Sequence, residues 1–208
     1  MGRRRKRSHW RTHQQSDRYF RLAKEEGYRA RSAYKLKQID ERFHILHRGD
    51  AVVDLGAAPG SWSQVVVQRV GRGGKVVAVD LQPIEPIPGV VILQGDMTDP
   101  EVQARIEAAL GGPADVVLSD AAPFTTGIKL RDHVLSMELG HAALATARRL
   151  LRPGGSLVIK VFEGEDLAEL IRAVKQSFHP VKLFTPDATR NESWESFIVA
   201  RGFKGKQG

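Results

Sequence analysis

The chain has 208 residues, 41% of them hydrophobic and 27% charged, with a net charge of +8 and no cysteine. That length suits one well-cored domain with at most a short appendage. The composition excludes disulfides, thiolate metal sites and any cysteine nucleophile, and no apolar run is long enough to span a bilayer. No signal-peptide pattern opens the sequence, and Lys6 stands where a myristoylation signal wants Ser or Thr. A cytosolic protein is therefore expected. The seven histidines are scattered and none pairs at metal-ligand spacing, so no metal is expected.

The positive charge is concentrated at the start. Residues 1–24 hold nine Lys/Arg and one acid, while the 23 basic and 23 acidic residues of the remainder balance. Residues 1–20 read as a basic, flexible arm and residues 21–208 as a single domain. Such an arm suits a polyanion, because each phosphate contact releases condensed counterions. The alternatives are a solvated tail and an acidic membrane surface, and the second would want an apolar face that the arm lacks.

After the arm, Ala30, Ala33, Tyr34, Ile39 and Phe43 recur at helical spacing, which predicts an amphipathic helix over 28–43. Gly49-Asp50 ends it. Strands are then predicted at 51–55, 75–81, 90–94, 115–119, 156–162, 181–184 and 196–200, and helices at 62–70, 100–110, 136–151 and 166–178. Pro100 suits a first helical turn, with Asp99 as its cap. Arg152-Pro153-Gly154-Gly155 punctuates the end of the long helix. The alternation and the valine-rich strands predict an α/β fold: a mostly parallel seven-stranded sheet with helices on both faces. The last two strands are too close for a crossover, so the final strand is expected to be antiparallel.

In such a sheet, ligands bind at the carboxyl ends of the strands. Gly56-Ala57-Ala58-Pro59-Gly60 follows the first strand and precedes a helix, a turn over which backbone can approach a ligand closely. It matches neither the dinucleotide fingerprint nor a P-loop, so a nucleoside-type cofactor such as S-adenosylmethionine fits better. Asp80, ending the second strand, can accept from ribose hydroxyls. Asp96, ending the third, can accept from an adenine amino group. Trp62 could lie against the cofactor, or simply be core.

Lys160 lies inside the apolar run Ser156–Phe162, where a lysine must leave the core, pair or do chemistry. A hydroxyl attacking a sulfonium methyl needs a general base with a pKa near ambient. Lysine in water is too basic, at ~10.4; burial and a second cation lower that value, and a strand-buried lysine facing another lysine meets both conditions. Asp120 can hold Lys160 in line, and Glu195 can hold Lys35 or a substrate ribose. Taken singly, Lys35 and Glu195 read as plain surface charges.

These stretches resemble the FtsJ/RrmJ family of S-adenosylmethionine-dependent 2′-O-ribose RNA methyltransferases. The resemblance runs from about Asp17 to Gly202 through Ala30–Leu36, Val53–Gln64, Asp80-Leu81, Gln94–Asp96, Leu118–Pro123, Pro153–Gly155, Val158–Phe162 and Glu195–Ala200. It implies a Class I methyltransferase fold, a catalytic tetrad at Lys35, Asp120, Lys160 and Glu195, and cofactor contacts at Gly56, Gly60, Trp62, Asp80, Asp96 and Asp120. It also implies an RNA partner: a uridine ribose of 23S rRNA in the large ribosomal subunit, or, in related members, the anticodon loop of tRNA. Two departures stand out. Ser61 replaces a common glycine, and Glu163 puts a carboxylate where Gln is expected, beside the base. A base-directed methyltransferase is disfavoured because Asp120-Ala121-Ala122-Pro123-Phe124 lacks the double-proline turn, and a nicotinamide enzyme by the glycine spacing. A non-catalytic RNA-binding or ribosome-assembly factor is disfavoured because all four tetrad residue types are present. RNA recognition is expected from the arm, the first helix and the loop Phe124–His133. No exposed apolar stripe demands a partner, so a monomer is the default.

Overall fold

The computed structural model describes residues 18–123, 126–190 and 193–205. Most of the basic arm and two residues of the Phe124–His133 loop lie outside the described residues. A helix covers 18–25 (α1). There follow α2 (Ala33–Phe43), β1 (Ala51–Leu55), α3 (Ser61–Val70), β2 (Lys75–Asp80), β3 (Val90–Gln94), α4 (Pro100–Leu110), β4 (Ala114–Ser119), α5 (Lys129–Leu150), β5 (Leu151–Phe162), α6 (Leu167–Ser177), β6 (Val181–Phe184) and β7 (Glu195–Ala200).

The seven strands form one sheet in the order β3-β2-β1-β4-β5-β7-β6. All pairings are parallel except those of β7, which runs against both β5 and β6. This is the doubly covered sheet with an antiparallel last strand that the sequence predicts. The order reverses at β1, so the β1 and β4 ends form the crevice in which such sheets bind ligands.

Strand alternation divides the core cleanly. Val53, Leu55, Val77, Val79, Val117, Leu157, Ile159 and Ile198 point to one face and pack with residues of α4, α5 and α6. Val52, Val76, Val116, Leu118, Val158, Phe197 and Val199 point to the other, beneath α2 and α3. Successive strand residues face opposite sides, so Asp54, Asp80, Asp120 and Lys160 share the α2/α3 face with Lys35.

Three boundaries differ from the sequence reading by more than one residue, each for a tertiary reason. The helix expected from residue 28 starts at Ala33. Arg29 upstream is bound instead to other parts of the fold: its guanidinium donates to the carbonyls of Pro59, Glu85 and Pro86, and its backbone N–H to Gln64. The long helix starts at Lys129 rather than 136, so residues 129–133 are helix and not loop. Its buried face there is Asp132 and His133, which spoils the apolar periodicity that would have announced it. Finally, β5 starts at Leu151, and its register against β4 shifts between Ala114 and Val116. The Pro153-Gly154-Gly155 punctuation is thus an irregularity within a strand. The α4 cap is as predicted, with the Asp99 side chain accepting from Glu101 N–H.

Candidate active site

The turn after β1 is built by close approach. A Cβ on Gly56, whose φ is +67°, would lie 2.5 Å from Ala121 Cα, on the chain leaving β4. A Cβ on Gly60, at φ +102°, would meet Ile87 at 2.6 Å. No side chain caps α3, which begins at Ser61 directly after Gly60 and carries no acid in its first turn. Its free N–H groups and positive dipole end therefore face the turn and suit an anionic group.

The two strand-end acids flanking the turn are fixed by backbone. Asp80 accepts from Ala58 N–H (2.9 Å) and Gln82 N–H (2.8 Å). Asp96 accepts from the Thr98 N–H and hydroxyl (2.8 and 2.7 Å), and the Thr98 backbone bond leads in holding its pKa below the usual carboxylate value. Both acids are preoriented at the ends of adjacent strands.

Trp62 is different. Its ring is 1% exposed, tilts against Phe197 at 5.7 Å, and donates from Nε1 to the Ser32 carbonyl at 2.8 Å. The side chain is therefore packed in the core, one of the two places the sequence allowed it. What Trp62 offers the turn is its backbone N–H in the first turn of α3.

The four candidate catalytic residues come together as two ion pairs. Lys160 Nζ lies 3.1 Å from Asp120 Oδ1 and donates to the Asp120 carbonyl at 2.5 Å. Lys35, from α2, pairs with Glu195 Oε1 at the start of β7. Among the described residues neither Asp120 Oδ1 nor Glu195 Oε1 has a hydrogen-bond partner; both are buried and each faces an ammonium group. The pairs adjoin because Lys160 is the cross-strand partner of Phe197, and the Lys35 ammonium lies 6.0 Å from the Phe197 ring centre. Lys160 is 9% exposed, so an apolar wall surrounds its stem while its head reaches the carboxyl end of β4.

The two departures from the family pattern are both accommodated. Ser61 is buried, with its hydroxyl 2.7 Å from that of Ser32, which ties the chain entering α2 to the turn. Glu163 alternates to the opposite sheet face from Lys160 and accepts from Ser196 Oγ at 2.6 Å. Its carboxylate is therefore directed away from the lysine. Sequence reasoning missed Arg29, His133 and Asp54. His133 is buried beneath the chain that follows β5, its Nε2 accepting from Asp166 N–H (3.2 Å) and its Nδ1 facing the Phe162 carbonyl (3.1 Å). The ring thereby fixes the exit of the Lys160 strand. Asp132 accepts from Thr126 and Gly127 N–H groups, the Thr126 backbone bond being foremost in lowering its pKa, and so pins the chain before α5.

Among the described residues no helix is long and apolar enough to cross a membrane, and no group of three or more His, Asp or Glu could hold a metal ion.

The chain is similar to several known proteins. A family model described as FtsJ-like methyltransferase matches residues 28–203. A "Ribosomal RNA large subunit methyltransferase E" of Methanothrix thermoacetophila is 56% identical over 187 residues, covering 90% of this chain and 72% of that protein. The protein of the same name from Methanothermobacter thermautotrophicus is 45% identical, covering 95% of both chains. A Plasmodium falciparum protein assigned as a ribosomal RNA methyltransferase superposes with a TM-score of 0.79 at 29% identity, over 86% of this chain and all of that one.

Proposed function

The chain belongs to the FtsJ-like methyltransferase family, and from that premise we propose that it methylates a ribose 2′-hydroxyl of large-subunit ribosomal RNA, with Lys160 as general base. The observation that carries the proposal is the pairing of Lys160 with Asp120, and of Lys35 with Glu195, on one sheet face beside the Gly56–Gly60 turn. The relatives' names support ribosomal RNA as the substrate.

The turn fits S-adenosylmethionine by its donor set. Gly56 lets the chain leaving β4 close against the turn, the uncapped α3 N-terminus suits a carboxylate, and Asp80 and Asp96 offer oxygens to ribose hydroxyls and an amino group. Gly60 and the backbone of Trp62 complete the cradle. Bound there, the cofactor supplies an electrophilic methyl on a sulfonium.

The residues then divide the work. Lys160 in its neutral form accepts the 2′-hydroxyl proton as the oxygen attacks, a step for which a positioned base contributes ~10²–10⁴-fold. Asp120 holds the Lys160 amine in line through its carboxylate and its carbonyl, and stabilises the ammonium that forms. Glu195 accepts from the ribose or keeps Lys35 turned inward. Lys35 contributes positive charge next to the base and, on opening toward solvent, to a phosphate. The apolar wall of Phe197 and Val158 excludes water, strengthening each of these interactions. RNA binding draws on the arm of residues 1–20 and on Lys129 and Arg131, which begin α5.

The test is methyl transfer from tritiated S-adenosylmethionine to unmodified large subunits, free 23S rRNA and tRNA in parallel, followed by alkaline digestion. Label in alkali-resistant dinucleotides of 23S rRNA is the expected result. Label in ordinary mononucleotides would mean base methylation and exclude the lysine mechanism; label in tRNA alone would move the substrate.

A further inference from the structure

One buried acid has no part in that scheme. Asp54, on β1 two residues before Gly56, is 0% exposed. Its Oδ2 accepts from the Ser63 hydroxyl at 2.6 Å, and its Oδ1 has no hydrogen-bond partner among the described residues. A sealed carboxyl with an empty oxygen is costly to keep, and apolar isosteres would serve the core better. Its neighbours make the cost larger. Asp54 is in register with Ala78 of β2 and Leu118 of β4, so Asp80 and Asp120 stand one pleat further along on the same face. Three carboxyls thus line the floor of the turn on three adjacent strands. Among the described residues, Lys160 lies behind Asp120, the Arg29 guanidinium at the turn is bound to the Pro59, Glu85 and Pro86 carbonyls, and α3 presents Ser63, its one basic residue, Arg69, being paired with Asp40 at 3.2 Å. Such a floor favours a ligand that carries positive charge and penalises its neutral counterpart.

We propose that Asp54 makes the turn selective for the sulfonium cofactor over the neutral thioether product, by supplying a counter-charge before transfer and taking up a proton after it. The inference rests on the cofactor assignment above. In the reaction the methyl–sulfur bond breaks with its electron pair left on sulfur, and the carbon–oxygen bond forms. The hydroxyl proton goes to Lys160, and the sulfonium charge disappears. Once Lys160 has passed that proton on to solvent, Asp54 is a carboxylate facing two others without the sulfonium charge, and it binds a proton from solvent. Burial, with help from the charges of Asp120 and Asp80, pushes the Asp54 pKa up to about 7, against the lowering effect of Ser63. Both protonation states are therefore accessible at neutral pH. Asp54 does not touch the ligand; it is a specificity-determining group acting from beneath the turn.

Calorimetric titration of the full-length protein with S-adenosylmethionine and S-adenosylhomocysteine, at pH 6 and pH 8, tests this. The two ligands share every titratable group except that one carries the sulfonium, so the ratio of their Kd values isolates the effect. The preference for S-adenosylmethionine is expected to rise about tenfold from pH 6 to 8 in the wild type, the change one pKa unit represents. Asp54→Asn keeps the shape and the Ser63 contact, and is expected to abolish the pH dependence of the ratio. Ser63→Ala, which removes the bond favouring the ionised form, is expected to move the midpoint to higher pH, and it keeps the test valid if the Asp54 variant fails to fold. A wild-type ratio that is constant with pH while both ligands bind would overturn the proposal, as would equal weakening of both ligands in Asp54→Asn. Failure of both ligands to bind at any pH would instead overturn the cofactor assignment, and this inference with it.

Discussion

The two halves of the binding crevice hold their charges in opposite ways. On the β1-β2-β3 side, Asp80 and Asp96 are fixed by backbone N–H groups two residues further on or in the neighbouring turn. On the β4-β5-β7 side, Lys35, Asp120, Lys160 and Glu195 are satisfied chiefly by one another. Backbone-fixed acids keep their geometry whatever the ligand does, as a site for an invariant cofactor requires. Side-chain pairs can exchange partners, so an ammonium or carboxylate released from its pair is free to take a proton, a hydroxyl or a phosphate. The contrast separates preorganisation from exchangeable chemistry within one crevice.

The contrast breaks most visibly at Lys160. Lys160→Ala is expected to lower methyl transfer by about 10³-fold or more while cofactor affinity stays within about threefold; matching losses in both would mean that the lysine serves binding. Next is Trp62→Ala, which removes the ring shared by the α3 side and Phe197. A loss of roughly 3–5 kcal/mol of stability is expected in denaturant titration, and a fall in cofactor affinity with normal stability would restore Trp62 as a direct contact.

Stability against pH probes the turn from below. Asp54 has a folded pKa raised to about 7, against about 3.9 in an unfolded chain. The native state therefore holds the extra proton between these values, and the stabilising effect is complete below the unfolded value and lost as pH rises through 7. Asp54→Asn is expected to flatten that decline, on the order of 2–4 kcal/mol between pH 4 and 8. An unchanged slope would assign the decline to other groups. Asp80→Ala, which frees Ala58 and Gln82 N–H groups, is expected to cost about 1.5–3 kcal/mol of cofactor affinity while sparing the transfer rate at saturation. A loss confined to that rate would join Asp80 to the exchangeable half. The smallest effect expected is at the α4 cap, where Asp99→Ala costs about 1 kcal/mol of stability and nothing in activity.

Much of this was legible without coordinates. Strands β1, β3 and β6 and helix α4 lie within the residues predicted for them, because valine-rich runs, a proline at the first helical turn and an Asp cap are local signals. The Gly56–Gly60 turn was legible because a chain leaving a strand to enter a helix over a ligand needs glycine at both ends. Lys160 was legible because a charge in an apolar strand has few bland explanations. Lys35 and Glu195 owed their selection to family resemblance, since by residue type alone each is an ordinary surface charge.

Local sequence sets the elements, their alternation and the residues too costly to be structural. Which charges satisfy which is settled by the folded chain alone. The pairing of Lys35 with Glu195 joins positions 160 residues apart, the start of α5 depends on Asp132 and His133 being buried by neighbouring chain, and Trp62 became core because Phe197 and Ser32 close over it. Asp54 shows the difference most plainly. An Asp at that position in a strand says nothing of its charge; only burial beside Asp80 and Asp120, on strands brought together by the sheet order, gives it a proton to exchange at neutral pH. Secondary structure follows from short-range periodicity and steric preference, whereas electrostatics follows from distance and burial, and those exist only once the chain has folded.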